Sequence, residues 1–176
     1  MIINATFIAE WHPRYDECTH DEGEYQAILS NLAPRLPTFK NMPRLIVRRI
    51  IRWKSPRIMS RVNYGILAKA VHEAAGYPEL CRLAILDAGP FVGAPFASTI
   101  LHFMYPDRFP IFDIRTATAL HTAGLFSTTS IAAQHYSAFV KAIFDIQHGA
   151  PWYSLRQIDQ VLFAFQKLTL VPRKSS

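Results

Sequence analysis

The sequence predicts an all-α fold of about eight helices. Three observations lead there. Apolar residues recur at three- and four-residue spacing along most of the chain. Gly and Pro punctuate those stretches at helix-like intervals. After residue 20, no stretch reads convincingly as a strand. At 176 residues, half of them hydrophobic, the chain is long enough to bury a sizeable core and too apolar to be disordered. The expected organisation is one all-α domain over residues 1–176, or two helical lobes within it.

The elements follow in order. Ile2, Ile3, Phe7, Ile8 and Trp11 suit either a short strand or a first helix. Asp21, Glu22 and Glu24 suit the first turn of the next helix, because carboxylates complement the positive end of its dipole. Tyr25, Ile28, Leu29 and Leu32 give that helix an apolar face, and Pro34 and Pro37 stop it. A helix then starts near Pro43 and ends near Trp53, with Ile46, Val47, Ile50, Ile51 and Trp53 inward. Ser55 and Pro56 read as a cap and a first helical residue. They open a helix reaching Ala75, with Val62, Ile66, Leu67, Ala70 and Val71 as core; Asn63 lies inside it, exposed or facing a cleft.

Gly76 closes that helix and Pro78 opens the following one, whose apolar side is Leu80, Leu83 and Leu86. Gly89-Pro90-Phe91-Val92-Gly93 breaks it. A new helix begins near Ala94 or Pro95 and buries a stripe of Phe96, Ala97, Ile100, Leu101 and Met104. It stops before Pro106, which biases Tyr105 out of helical geometry. Asp113 stands where the next helix needs an N-cap, and Gly124 ends that helix. Tyr136, Phe139, Val140, Ile143 and Phe144 mark a helix from about Ile131 to Gln147. Ser154 opens the last helix, with Leu155, Ile158, Leu162 and Phe165 at helical spacing. Trp152 and Tyr153 read as core, and Arg156 with Asp159 as pairing on the helix surface. Residues 171–176 form a polar tail.

Charge narrows the function. The net charge is +6, and Lys40, Arg44, Arg48, Arg49, Arg52, Lys54, Arg57 and Arg61 fall in one run with no acid among them. The positive charge is therefore local, as a polyanion-binding surface requires. Arg44, Arg48 and Arg52 share one helix face. With Lys54 and Arg57 they are candidate phosphate contacts; a merely solvated basic face is the equal alternative. Cys18 and Cys81 are too few for a metal or disulfide framework, and the seven histidines lack zinc-ligand spacing. No cofactor and no metal are expected. No apolar run spans a bilayer and the N-terminus lacks a signal-peptide pattern, so the expected location is cytoplasmic with no membrane partner.

Residues 80–120 resemble the helix-hairpin-helix of base-excision DNA glycosylases, the endonuclease-III-like superfamily. Pro90, Val92 and Gly93 match the hairpin, and Ala97 matches the small residue of its second helix. Pro110-Ile111-Phe112-Asp113 resembles the Pro-Ile-Leu-Asp of the adenine-excising members. Phe91 stands where the family has the first Gly of the hairpin. Pro95 stands where lyase members carry a catalytic Lys, and Asp113 follows 18 residues later, at the family spacing. The WKSPR at 53–57 and PDRFPIFDIR at 106–115 also resemble stretches in small bacterial proteins of that type.

The resemblance implies a helix-hairpin-helix at 80–105 and a DNA partner, duplex and held by non-specific phosphate contacts. Gly89, Phe91, Val92, Gly93 and Ala94 would offer the hairpin amides, and a flipped-out base would enter a cleft between two lobes. Asp113 would be the catalytic carboxylate, activating water or stabilising the oxocarbenium-like sugar as the base leaves. Pro95 cannot form a Schiff base, which implies a monofunctional hydrolase of DNA repair without lyase activity. The iron–sulfur cluster of some members needs four cysteines and is excluded. The rivals are a non-catalytic helix-hairpin-helix nucleic-acid-binding module and a protein-interaction domain. For Asp113 the plain alternative is an N-cap, which is compatible with catalysis. His102 and His121, which bracket Asp113, read as ordinary surface or core residues, with the lining of a pocket as the alternative. Arg108 and Arg115 suit either neutralisation of Asp113 or of a phosphate, or structural ion pairs.

Overall fold

A computed structural model describes residues 1–19, 21–32, 43–77, 79–88 and 93–170, which contain helices and no strand. The helices are α1 (Ala5–Trp11), α2 (Glu22–Leu32), α3 (Arg44–Lys54), α4 (Tyr64–Ala75), α5 (Glu79–Ala88), α6 (Gly93–Met104), α7 (Ile114–Thr122), α8 (Tyr136–Gly149) and α9 (Leu155–Phe165). The ambiguous N-terminus is thus a helix. Asn4 decides it by capping α1, its Oδ1 accepting from the Phe7 amide at 3.0 Å. No helix among the described residues is long and apolar enough to cross a membrane.

The chain divides into two compact units. One is discontinuous, formed by Met1–His20 with Pro110–Ser176; the other is the intervening Asp21–Phe109.

In the discontinuous unit α9 is the centre. Leu155, Ile158, Val161, Leu162 and Ala164 are buried. Ser154 starts the helix with a capping box, its Oγ accepting from the Gln157 amide while Gln157 Oε1 accepts from the Ser154 amide. The N-terminal segment packs on this helix. Phe7 and Trp11 place their rings 5.4 and 5.1 Å from Phe165. The 3₁₀ turn His12–Glu17 continues along it, with His12 Nε2 3.1 Å from Gln160 Oε1.

Arg156 and Asp159 correct the expectation of surface pairing: both are buried, at 7% exposure each. Arg156 Nη1 reaches Asp159 Oδ2 at 2.6 Å, and Nη2 donates to the Tyr15 hydroxyl at 2.8 Å. Trp152, read as core, is 70% exposed. A second cluster in this unit sets Phe112 among the rings of Phe126, Tyr136 and Phe139. The helix expected from Ile131 begins only at Tyr136, after a 3₁₀ turn at Ala133–His135.

In the intervening unit α6 packs against α2, α3 and α5. The expected stripe on α6 is instead burial on all sides, from Ala97 to Met104. Its polar residues are satisfied within reach. Ser98 Oγ and Thr99 Oγ1 donate to the Pro95 carbonyl at 2.9 and 2.7 Å. His102 Nδ1 lies 2.8 Å from the Phe109 carbonyl, which can only accept. Nδ1 therefore carries a proton, and Nε2 lies within hydrogen-bond distance of the Tyr25 hydroxyl at 2.8 Å.

The single helix expected over 56–75 is two elements. A 3₁₀ turn spans Pro56–Arg61, Val62 is extended, and Asn63 restarts the chain as N-cap of α4. Its Oδ1 accepts from the amides of Gly65 and Ile66 at 3.1 and 3.2 Å. The restart resets the helical phase, so Ile66 is 47% exposed while Leu67 and Val71 are buried.

Candidate nucleic-acid interface and the Asp113 cap

Asp113 is positioned from both sides. Upstream, residues 110–112 are buried. Phe112 packs 4.7 Å from the Phe139 ring centroid, and the Tyr136 hydroxyl donates to the Pro110 carbonyl at 2.9 Å. Burial pushes the Tyr136 phenol far above its ordinary range. Downstream, Asp113 caps α7 in a capping box with Thr116. Asp113 Oδ1 accepts from the Arg115 amide at 2.9 Å, and Thr116 Oγ1 accepts from the Asp113 amide at 3.3 Å. The half-buried carboxylate is thereby held in one orientation at the positive end of α7. The N-cap expectation holds.

Arg115 meets Asp113 through its backbone. Its guanidinium donates to Gln166 Oε1 at 2.7 Å and stands 5.4 Å from the Phe163 ring centroid. Lys167 approaches the same ring at 5.8 Å and donates to the Cys18 carbonyl at 2.6 Å. The Cys18 thiol is raised by burial, which outweighs the nearby cations. His121 Nδ1 lies 3.0 Å from the Phe126 carbonyl, so it braces the end of α7.

Of the hairpin residues, Gly89, Phe91 and Val92 lie outside the described residues, as does Pro90. Gly93 opens α6 with φ +64°, a left-handed conformation that side chains disfavour and glycine adopts freely. Ala94 behind it is buried at 3%.

The basic helix α3 presents two faces. Ile46, Val47, Ile50 and Ile51 are buried, and Arg44, Arg48 and Arg52 are exposed on the other side. Arg44 bends toward α4: a Cβ added at Gly65 would fall 2.8 Å from its Nη2. Lys54 ends α3 half-buried, and Arg57 is exposed in the 3₁₀ turn. Arg49 departs from the run. Its Nε and Nη2 grip both carboxylate oxygens of Glu24 at 3.0 and 3.1 Å. Those hydrogen bonds hold the Glu24 carboxyl below its ordinary range.

The sequence reading missed a cleft in this unit. Asp21, Glu24, Arg49, Arg52 and Trp53 line an open volume of about 620 Å³. Trp53, expected to face inward, is only half-buried. Its indole N–H donates to the Asp21 carbonyl at 3.2 Å, and its ring leans on Tyr25 and Phe103 with centroids 5.7 and 5.3 Å away. No local signal joined the acidic turn at 21–24 to Trp53, some thirty residues later, because the cleft forms only where the two meet. No group of three or more His, Cys, Asp or Glu able to hold a metal occurs among the described residues. No family model, curated protein or solved structure matches the chain.

Proposed function

We propose that this is a DNA-binding protein of the helix-hairpin-helix glycosylase type that hydrolyses the N-glycosidic bond of a damaged base with Asp113. The observation that carries the reading is the Asp113 cap. A half-buried carboxylate, oriented by the Arg115 amide and by Thr116, is pre-organised to face positive charge developing on a sugar. Two further features support it. Gly93 starts α6 in the left-handed conformation that a tight hairpin needs. The exposed row Arg44, Arg48 and Arg52 offers phosphate contacts. With Pro95 in the lyase position, water rather than a protein amine receives the sugar, and the product is an intact abasic site.

The second reading is a binding module without catalysis. It is favoured by Pro90 and Pro95, which remove two amide donors from the hairpin region. One experiment separates the two. Purified protein is incubated with duplexes carrying single uracil, alkylated, deaminated or oxidised bases, and strands are analysed with and without alkali. Alkali-dependent cleavage at one lesion supports excision. Salt-dependent binding with no excision of any lesion leaves the binding module.

A further inference from the structure

We propose that the Trp53 cleft binds an unpaired base of single-stranded DNA, one bearing an exocyclic amino group, while the flanking phosphates follow the Arg44–Arg48–Arg52 row. The proposal rests on the DNA-binding reading above and adds to it a strand type and a base preference.

Size comes first. A volume of about 620 Å³ falls within the range of small-molecule sites, roughly 300–1,000 Å³, and holds a nucleobase with room for its sugar. Stacking comes second. The Trp53 indole is fixed by its hydrogen bond to the Asp21 carbonyl and by the rings of Tyr25 and Phe103. A half-exposed indole that is already immobile loses little entropy when a base stacks on it.

Charge decides what enters. Asp21 and Glu24 line the cleft with Arg49 and Arg52. Two carboxylates and two guanidiniums cancel in formal charge, which suits a neutral base better than a phosphate, and the carboxylates are the acceptors for its N–H donors. Arg49 uses one hydrogen bond on each Glu24 oxygen, and a carboxylate has about four acceptor positions, so capacity for an amino group is kept. Carboxylates read the cytosine amino group in this way. Thymine has no exocyclic amino group and offers only its ring N3–H, one donor against the two of an amino group.

Arg52 joins the two parts. It lines the cleft and also ends the exposed row on α3. Residues four apart on a helix rise about 6 Å, close to the separation of successive phosphates along an extended strand. A strand laid on the row thus delivers its next base to Trp53.

The test is fluorescence anisotropy of the full chain with labelled oligodeoxycytidylate, oligodeoxythymidylate, a mixed-sequence duplex and unlabelled dCMP as competitor. The expected results are tighter binding of the cytosine strand than of the thymine strand, and weak competition by dCMP alone. Trp53→Ala should weaken single-strand binding about tenfold and leave duplex binding unchanged. Trp53→Phe should recover most of the loss, and Trp152→Ala, at the exposed tryptophan of the other unit, should change nothing. Because Trp53 also touches Tyr25 and Phe103, Asp21→Asn gives an independent check and should narrow the preference for cytosine over thymine. Equal binding of the two homopolymers that Asp21→Asn does not alter overturns the proposal. Competition by dCMP as strong as that of the oligonucleotide overturns the strand part and leaves a mononucleotide site. Duplex binding with no single-strand binding overturns the proposal alone, whereas absence of all DNA binding removes the parent reading with it.

Discussion

The Arg156 guanidinium and the Asp159 carboxylate lie 2.6 Å apart, each side chain less than a tenth exposed. The pair sits one helical turn apart on α9 and is completed by the Tyr15 hydroxyl. Burying two charges is costly, and their attraction offsets that cost only while both are present.

Removing one partner should therefore cost more than removing both. Asp159→Ala takes from a buried guanidinium the carboxylate 2.6 Å away and is expected to destabilise the protein by about 3–5 kcal/mol. Combining it with Arg156→Met should recover part of that loss. Urea unfolding at neutral pH measures both. A loss below about 1 kcal/mol for Asp159→Ala, the range of exposed pairs, would show that the pair relaxes into solvent.

Tyr136 should make stability fall at alkaline pH. Its phenol is raised by burial in the folded chain, whereas the unfolded chain ionises near the ordinary value of 10.0. Above that value the unfolded state releases a proton that the folded state keeps, so the contribution is full below about pH 10 and is lost as pH rises beyond it. Tyr136→Phe should flatten this dependence. It should also cost about 1–3 kcal/mol at neutral pH, because the buried Pro110 carbonyl loses its donor. Thermal melts of both proteins from pH 7 to 11 give the comparison.

Charge reversal along α3 should act on affinity rather than on folding. Arg44, Arg48 and Arg52 are exposed, so the triple change to Glu should leave the helical circular dichroism intact. Duplex affinity should fall, and the slope of log K against log salt should shrink by about 2–3, as three phosphate contacts are lost. An unchanged slope would clear the row of any such role.

Asp113 separates chemistry from capping. Asp113→Asn keeps the size and part of the cap, and should abolish base excision while DNA binding persists. Asp113→Ala should in addition cost about 1 kcal/mol of stability. Borohydride should trap no covalent protein–DNA adduct, because Pro95 offers no amine. A trapped adduct would mean that another nucleophile acts, and the monofunctional assignment would fall.

The elements legible in the sequence were those with local signals. Asp113 and Ser154 were read as caps because a capping residue acts on amides two or three positions away. The two faces of α3 were read from periodicity alone. What failed depended on distant partners. Arg156 and Asp159 are three apart and look like a surface pair until Tyr15, far upstream, covers them. The stripe read on α6 left out Ser98, Thr99 and His102, which are buried as well because Pro95, Phe109 and Tyr25 satisfy them inside the core. The break at Val62–Asn63 carried a usable signal, an Asn able to cap a following helix, which the strong apolar period around it masked. The Trp53 cleft was not legible because its wall comes from α2 and α3 together.

The discontinuity of the first unit fixes an order of events during synthesis. His12 and Tyr15 find Gln160 and Arg156 148 and 141 positions downstream. When residue 109 leaves the ribosome, every residue of the intervening unit exists, while α9 has not been made. Ile8, Trp11 and Tyr15, all buried in the finished protein, have no α9 to pack against until residues 155–165 are made. Contacts of such long range form late and slowly. A ribosome stalled between residues 110 and 154 therefore holds a chain whose Ile8, Trp11 and Tyr15 lack their α9 partners, the stage at which a chaperone or a second nascent chain would capture it.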